Sequence, residues 1–290
     1  MKFTKMQGAG NDYVYVSGFT EKVADKSAAA VKVSDRHFGI GSDGLIFINP
    51  SENADFEMEM YNSDGSRAEM CGNGIRCVAK YAYDNRLTDK THFTIETLAG
   101  IKVIDLVIDE ETNTAVAARV DMGAPILDPE LVPADPSAFM MSGLGDNRSI
   151  IDRALVVDDC AYSVTCVSMG NPHAIIFIDT PVTEFPLEQI GPRFESNPAF
   201  PRRTNTEFVR VLSRDTVEMR VWERGAGETL ACGTGASATA VACILNGLTE
   251  HTVTVKLLGG DLKITWEGNP DDHVYMEGPA TTVFTGEIDI

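Results

Sequence analysis

Glu223-Arg224-Gly225-Ala226-Gly227-Glu228-Thr229-Leu230-Ala231-Cys232-Gly233-Thr234-Gly235-Ala236 has a counterpart in the first half of the chain, Asn62-Ser63-Asp64-Gly65-Ser66-Arg67-Ala68-Glu69-Met70-Cys71-Gly72-Asn73-Gly74-Ile75. In each stretch a cysteine stands directly before a Gly-x-Gly turn that opens a run of small and apolar residues with helix-forming character. Both cysteines are therefore expected at helix N-termini, where unpaired N–H groups and the positive end of the helix dipole favour an anion. A thiol in that position is expected to have its pKa lowered from about 8.5 toward neutrality. The glycines let a ligand approach the amides closely.

The echo extends along the chain. Cys232 lies 161 positions after Cys71; at that offset Glu57 matches Glu218, Met58 matches Met219, Gly72 and Gly74 match Gly233 and Gly235, and Asn85 matches Asn246. Gly10-Asn11 recurs as Gly170-Asn171, and Leu98-x-Gly100 as Leu258-x-Gly260, both at offset 160. A period this long marks a duplicated domain rather than a solenoid unit. The expected fold is α/β, of the α+β type: two pseudo-symmetric halves, each a mainly antiparallel or mixed sheet wrapped around a central helix. Facing halves would bring Cys71 and Cys232 to opposite sides of one cleft, the expected active site.

The run Gln7-Gly8-Ala9-Gly10-Asn11-Asp12 invites a dinucleotide-loop reading, but Tyr13-Val14-Tyr15-Val16 after it is β-rich where that motif needs a helix. The patterns then predict a helix over about 22–33, strands at 45–48 and 55–61, a helix from the first cysteine turn to about Asn85, and strands near 92–98, 101–108 and 115–122. Residues 124–160 hold Pro125, Pro129, Pro133, Pro136 and a Gly/Asp/Asn cluster around 143–147, a composition suited to a connector with a surface excursion. The halves are accordingly drawn as 1–122, completed by 277–290, and 123–276.

The balance of 24 Lys+Arg against 43 Asp+Glu leaves a net charge of −19, which argues against a nucleic-acid partner. The start, Met1-Lys2-Phe3-Thr4-Lys5-Met6-Gln7, lacks the apolar core of a signal peptide. The longest uncharged apolar run, Ala236 to Leu245, is too short to span a bilayer. A cytoplasmic enzyme with no membrane partner is expected. The six cysteines (71, 77, 160, 166, 232, 243) contain no Cys-x-x-Cys pair and no histidine at zinc-ligand spacing, so no metal is expected. Cys77 and Cys243 fall inside apolar helical runs and read as buried, inert thiols.

Two thiols across a small cleft can perform one kind of chemistry directly. A thiolate removes a proton from carbon while the opposing thiol delivers one from the far side, inverting the stereocentre. The substrate carboxylate would rest on the amides of Gly72-Asn73-Gly74 and Gly233-Thr234-Gly235, which also stabilise charge growing at Cα. Neither pyridoxal phosphate nor a metal is then required.

Gln7-Gly8-Ala9-Gly10-Asn11-Asp12, Asn62-x-Asp64-Gly65-Ser66, Cys71-Gly72-Asn73-Gly74-x-Arg76-Cys77, Gly170-Asn171-Pro172-His173, Asn205, Glu223 to Thr229 and Cys232-Gly233-Thr234-Gly235 together resemble the diaminopimelate epimerase family over nearly the whole chain. The resemblance implies a cofactor-independent enzyme interconverting L,L- and meso-diaminopimelate, on the way to lysine and peptidoglycan. It implies Cys71 as base toward the L,L substrate and Cys232 as acid, with roles exchanged in reverse. Glu223 and the backbone of Arg224 would hold the reacting amino group. Asn11, Asn62, Asn171, Asn205 and the Arg224 side chain would bind the distal amino-carboxylate, and His173 would tune a catalytic thiol, as would Glu223. Amides and a guanidinium suit that end chemically, because asparagine both donates and accepts while arginine grips a carboxylate with two bonds. Some family members carry glutamine where this chain has Gly44, the repeat-mate of Asn205. A homodimer is entertained as the assembly, although no residue pattern specifies one.

Blander readings stand beside these. Each asparagine could be an ordinary turn residue, His173 a satisfied structural histidine, and Glu223-Arg224 a solvated surface pair. His37 and Asp43 read as turn or supporting residues. A proline racemase of the same duplicated fold, a thiol hydrolase with Cys232 as nucleophile and His173 as base, and a non-catalytic amino-acid-binding protein are the competing functions.

Overall fold

Residues Lys2–Gly8 form strand β1 and Asn11–Ser17 form β2. The turn between them has positive φ at both Ala9 (51°) and Gly10 (81°), the geometry that matches the twist of a two-residue hairpin. The Gly-x-Gly stretch is thus a hairpin turn and not a phosphate loop. The structure, a computed structural model, describes residues 1–140 and 149–290. The Gly/Asp/Asn cluster expected as a surface excursion around 143–147 lies outside the described residues.

The chain divides into two units, Met1–Asp121 with Glu277–Ile290, and Met122–Met276. In the first, α1 (Lys26–Ser34), β3 (Gly44–Asn49), β4 (Phe56–Asn62), β5 (Arg67–Ala68), α2 (Gly72–Asp84), β6 (His92–Thr97), β7 (Gly100–Asp109) and β8 (Thr114–Gly123) follow the hairpin. Strand β2 runs parallel to β3, β3 antiparallel to β4, β4 parallel to β6, and β6 antiparallel to β7. Helix α1 is capped by Asp25, whose side chain accepts from Ala28 N–H. Its Ala29, Ala30 and Val33 join Phe3, Val14, Val16, Leu45 and Phe47 in one apolar cluster.

The second unit contains β9 (Arg153–Val157), β10 (Cys160–Ser168), β11 (Pro172–Phe177), α3 (Leu187–Glu195), β12 (Asn205–Ser213), β13 (Thr216–Glu223), β14 (Gly227–Thr229), α4 (Gly233–Leu245), β15 (Thr252–Leu257) and β16 (Gly260–Thr265), and the boundary between the units falls within β17 (Val274–Pro279). The last strand, β18 (Thr281–Glu287), returns to pair antiparallel with β1. Strand β11 runs parallel to β12, β12 antiparallel to β13, β13 parallel to β15, and β15 antiparallel to β16. This is the pairing order of the first unit, and the register repeats as well. Val14 lies opposite Leu45 as Ala174 lies opposite Thr206, and Phe56 opposite Ile95 as Val217 opposite Val255.

Each unit wraps its strands around one helix. α2 packs on β1, β2, β3 and β7, and α4 on β10, β11, β12, β15 and β16. Both helices are 13 residues long and buried on nearly every face, as expected of a helix at the centre of a fold. Small residues make this possible in α4, where Gly233, Gly235, Ala236, Ser237, Ala238, Thr239, Ala240 and Ala242 let strands approach closely. In α2 the buried Arg76 is satisfied by the Gly72 carbonyl at 2.9 Å and Asn73 Oδ1 at 3.0 Å, and Lys80 by Asp84 at 2.7 Å.

The expected connector 124–160 is only in part a connector. Arg153–Val157 forms β9, paired antiparallel with β10 from Cys160, and its Leu155 and Val157 enter the core of the second unit with Val164, Cys166, Phe194 and Phe208. The strand escaped the sequence pattern because Arg153 occupies an inward position, buried at 4% exposure, where alternation would call for an apolar residue. Among the described residues no helix is long and apolar enough to cross a membrane.

Candidate active site

The two cysteines cap their helices in the same way. Cys71 has extended backbone angles and its Sγ accepts from Gly74 N–H at 3.3 Å; Cys232 does the same with Gly235 N–H at 3.3 Å. The sulfur fills the place a serine or aspartate oxygen takes at an ordinary N-cap. Glycine at the third helical position keeps that approach open. The first-turn N–H groups of Gly72, Gly233 and Thr234 have no acceptor within their own helix.

In the first unit, Cys71 Sγ donates to Asn11 Oδ1 at 3.1 Å, and Asn11 Nδ2 donates to Asp43 Oδ2 at 2.7 Å. Arg36 bridges Asp43 at 2.9 Å and Asp12 at 3.2 Å, and Lys5 pairs with Asp12. Burial raises the Asp12 carboxyl, but Lys5 and Arg36 outweigh it and leave it below the usual carboxylate range. Asp43 is pushed up by burial and by the charge of Asp12. Tyr13 is buried beside this group, and its phenol is driven far up by burial and by the Cys71 sulfur. Asn62 lies at the end of β4, its Nδ2 donating to Ser66 Oγ at 3.0 Å. Asn73 is buried in the first turn of α2, where its side chain receives Arg76.

The second unit gathers the remaining candidates. His173 is fully buried on β11. Its Nε2 lies 3.1 Å from Asn171 Oδ1 and its Nδ1 2.7 Å from Glu207 Oε1. Asn205 donates to the Pro172 carbonyl at 3.0 Å and accepts from Arg224 N–H at 2.8 Å, which ties the loop after β13 to the start of β11. Glu223 accepts from the Thr229 hydroxyl. Thr234 Oγ1 lies 3.4 Å from Cys232 Sγ. The exposed Arg224 side chain donates to the Arg202 carbonyl at 3.1 Å.

One expectation is overturned here. A helix N-terminus should lower a thiol pKa, yet Cys232 is held well above the ordinary thiol value, first by burial and then by the carboxylates of Glu223 and Glu207. Removal of solvent disfavours the thiolate, and two nearby negative charges disfavour it further, so the dipole is outweighed. Glu223 is itself pushed up by burial and by Glu207, against the lowering effects of Thr229 and His173. Cys77 and Cys243, pushed up to about 11 and about 12 by burial, have the protonated, inert character expected of core thiols.

Asp43 and Glu207 stand closer to the candidate groups than sequence reasoning placed them. Asp43 sits in a Gly-rich turn and carried no sign of its bond to Asn11. Glu207 had a signal, a charged residue on a strand buried at five successive positions. At Gly44, an added Cβ would lie 2.1 Å from the Tyr61 carbonyl and 2.8 Å from Tyr13 Cε1, so this backbone has no room for a side chain. Gly44→Ala is expected to cost about 3 kcal/mol of stability through overpacking; a thermal melt within a degree or so of the parent would contradict this.

The sequence profile of the family described as diaminopimelate epimerase matches residues 3–127 and 165–283. The diaminopimelate epimerase of Methanococcus maripaludis is 57% identical over 290 residues, covering all of both chains. That of Acetivibrio thermocellus is 56% identical over 290 residues, covering 100% of this chain and 99% of the other. Among solved structures, a PhzF-family phenazine biosynthesis protein of Bacillus anthracis has a TM-score of 0.70 at 17% identity, with 100% and 99% of the two chains covered. A probable proline racemase from Agrobacterium radiobacter has a TM-score of 0.65 at 12% identity, with 100% and 93% covered. The structural likenesses show a shared fold, and the match of sequence over the full length shows that this chain belongs to the diaminopimelate epimerase family.

Proposed function

We propose that this chain epimerises diaminopimelate between its L,L and meso forms by two-base proton transfer at one α-carbon, with Cys71 and Cys232 acting on opposite faces. The observation that carries the reading is the pair of cysteine-capped helices, set on two units of equal topology, in a chain of this family. Inversion needs one group that takes a proton and another that gives one. Cys232 is suited to giving, because burial and its carboxylate neighbours keep its thiol protonated at neutral pH. Cys71 then takes the proton of the L,L substrate, and the roles exchange in reverse. The amides of Gly72, Asn73, Gly233 and Thr234 receive the carboxylate and the charge that develops beside it. No cofactor enters this scheme.

Glu223 and the Arg224 carbonyl hold the reacting ammonium, since the Arg224 N–H is already committed to Asn205. Asn11, Asn62, Asn171, Asn205 and the Arg224 guanidinium recognise the distal amino-carboxylate, and His173 tunes a catalytic thiol. The enzyme works in the cytoplasm as a homodimer. The exposed run Thr281–Thr285 of β18, with Val283 at 55% and Phe284 at 46% exposure, is a surface suited to self-association, and sedimentation of a Phe284→Lys variant as monomer would accord with it.

Incubation with L,L-diaminopimelate in deuterium oxide, followed by chiral analysis, tests the activity. Deuterium at one α-carbon of the meso product is the expected result. Wash-in to proline, or none to either compound, would overturn the reading.

A pH dependence follows from Glu223. It must be ionised to hold an ammonium, and its folded-state pKa lies above the ordinary glutamate value of about 4.3. Activity is therefore expected to climb with pH through this raised pKa. The stability contribution has the opposite slope, being fully present below the unfolded-state pKa and lost as pH rises through the folded one. Glu223→Gln should flatten both trends, as read from kcat/KM profiles and melts across pH 4–7.

A further inference from the structure

Three matched positions separate the two units chemically: Tyr13 corresponds to His173 (173 − 13 = 160), Ile46 to Glu207 (207 − 46 = 161) and Asn62 to Glu223 (223 − 62 = 161). The second match holds in space within each unit. A Cβ added to Gly74 would meet Ile46 Cδ1 at 2.9 Å, and one added to Gly235 would meet Glu207 Oε1 at 2.6 Å. Ile46 and Glu207 therefore fill the same place beneath the first turns of α2 and α4. In the first unit that place is hydrocarbon; in the second it is a carboxylate with no solvent exposure.

A buried carboxylate is expensive unless it is paired. Glu207 Oε1 lies 2.7 Å from His173 Nδ1, and Oε2 has no hydrogen-bond partner among the described residues. His173 thus supplies its compensation. On the other side of the ring, Nε2 lies 3.1 Å from Asn171 Oδ1. The carboxylate oxygen accepts from Nδ1–H, which fixes the ring with its other nitrogen, Nε2, turned toward Asn171. Glu223 on β13 and Cys232 at the head of α4 are the other titratable groups of this cluster.

We propose that Glu207 is a positioning residue for the epimerisation: it accepts from His173 Nδ1–H and so fixes the ring with Nε2 turned toward Asn171, giving the Cys232 half a buried carboxylate–imidazole pair where the Cys71 half has Tyr13 and Ile46. The proposal rests on the reading that His173 and Cys232 belong to the reacting site. It assigns Glu207 no contact with substrate; Glu207 acts through the ring.

The test uses the full chain with 15N-labelled histidine, the His173 signals being those lost in His173→Gln. The expected result is a hydrogen held on Nδ1 in the parent and loss of that single fixed tautomer in Glu207→Gln and in Glu207→Ile, which restores the first unit's residue. Both variants should lose about 10- to 100-fold in kcat, the range for a partner that orients an imidazole, with KM within about threefold, and Glu207→Asp should recover part of the loss. A parent ring with no hydrogen on Nδ1, a fixed Nδ1–H that survives Glu207→Ile, or a kcat within twofold of the parent would each overturn the proposal. If both variants unfold, the parent spectrum still decides it. The site reading is tested apart from this: turnover retained in both His173→Gln and Cys232→Ser overturns that reading, whereas turnover lost in both but kept in Glu207→Gln overturns the role of Glu207 alone.

Discussion

Cys71→Ser and Cys232→Ser each lose about 10³-fold or more of diaminopimelate epimerisation, within the upper range for removing a positioned acid or base. The reasoning is that a serine hydroxyl holds its proton far more tightly than a thiol, so it cannot serve as the base in one direction and is a poor acid in the other. The substitution is structurally mild. Each sulfur accepts an N–H at 3.3 Å as an N-cap, and serine is among the preferred residues for that role. Both variants should therefore melt no lower than the parent, which isolates the loss to proton transfer. Each should still exchange or eliminate from the face served by its surviving thiol, seen as deuterium wash-in without inversion or as elimination from a β-substituted analogue. Epimerisation within tenfold of the parent in either variant would end the two-base scheme.

Gly235→Ala is the second large effect, expected at about 10²-fold in kcat/KM, the scale of a misplacement near one ångström in a reacting group. The new methyl would lie 2.6 Å from Glu207 Oε1 and 3.3 Å from Cys232 Sγ. To clear it, the carboxylate must swing away from His173, and the thiol must leave its place over the helix start. The repeat-mate provides the control. At Gly74 the methyl meets Ile46 Cδ1 at 2.9 Å and Met58 Cε at 3.1 Å, both ends of flexible hydrocarbon chains that can rotate aside. Gly74→Ala should therefore lose distinctly less than Gly235→Ala. Equal losses would show that glycine is needed there for substrate access alone.

Much of this was legible before any coordinates. The helices, their cysteine caps and the duplicated strand order follow from residue types at fixed offsets, because Gly-x-Gly after a polar cap and period-two strands are local signals. What escaped is non-local. Asp43 meets Asn11 only because the parallel pairing of β2 and β3 brings a turn beside a hairpin. The raised Cys232 pKa is not legible in the sequence, because it is set by burial and by Glu223 and Glu207, the latter brought close by β12 passing beneath α4. β9 was missed because Arg153 breaks its alternation while lying inside the fold.

The pairing of β18 with β1, reinforced where the Met1 amino group donates to the Ile288 carbonyl at 2.7 Å, has a consequence for biogenesis. The unit Met122–Met276 is contiguous and can fold as it leaves the ribosome. The other unit must keep its opening strand waiting, with Val14, Leu45 and Phe47 in place but one edge unfilled, until β18 is synthesised. Synthesis of β18 thus sets the earliest moment at which Cys71 stands in a finished domain.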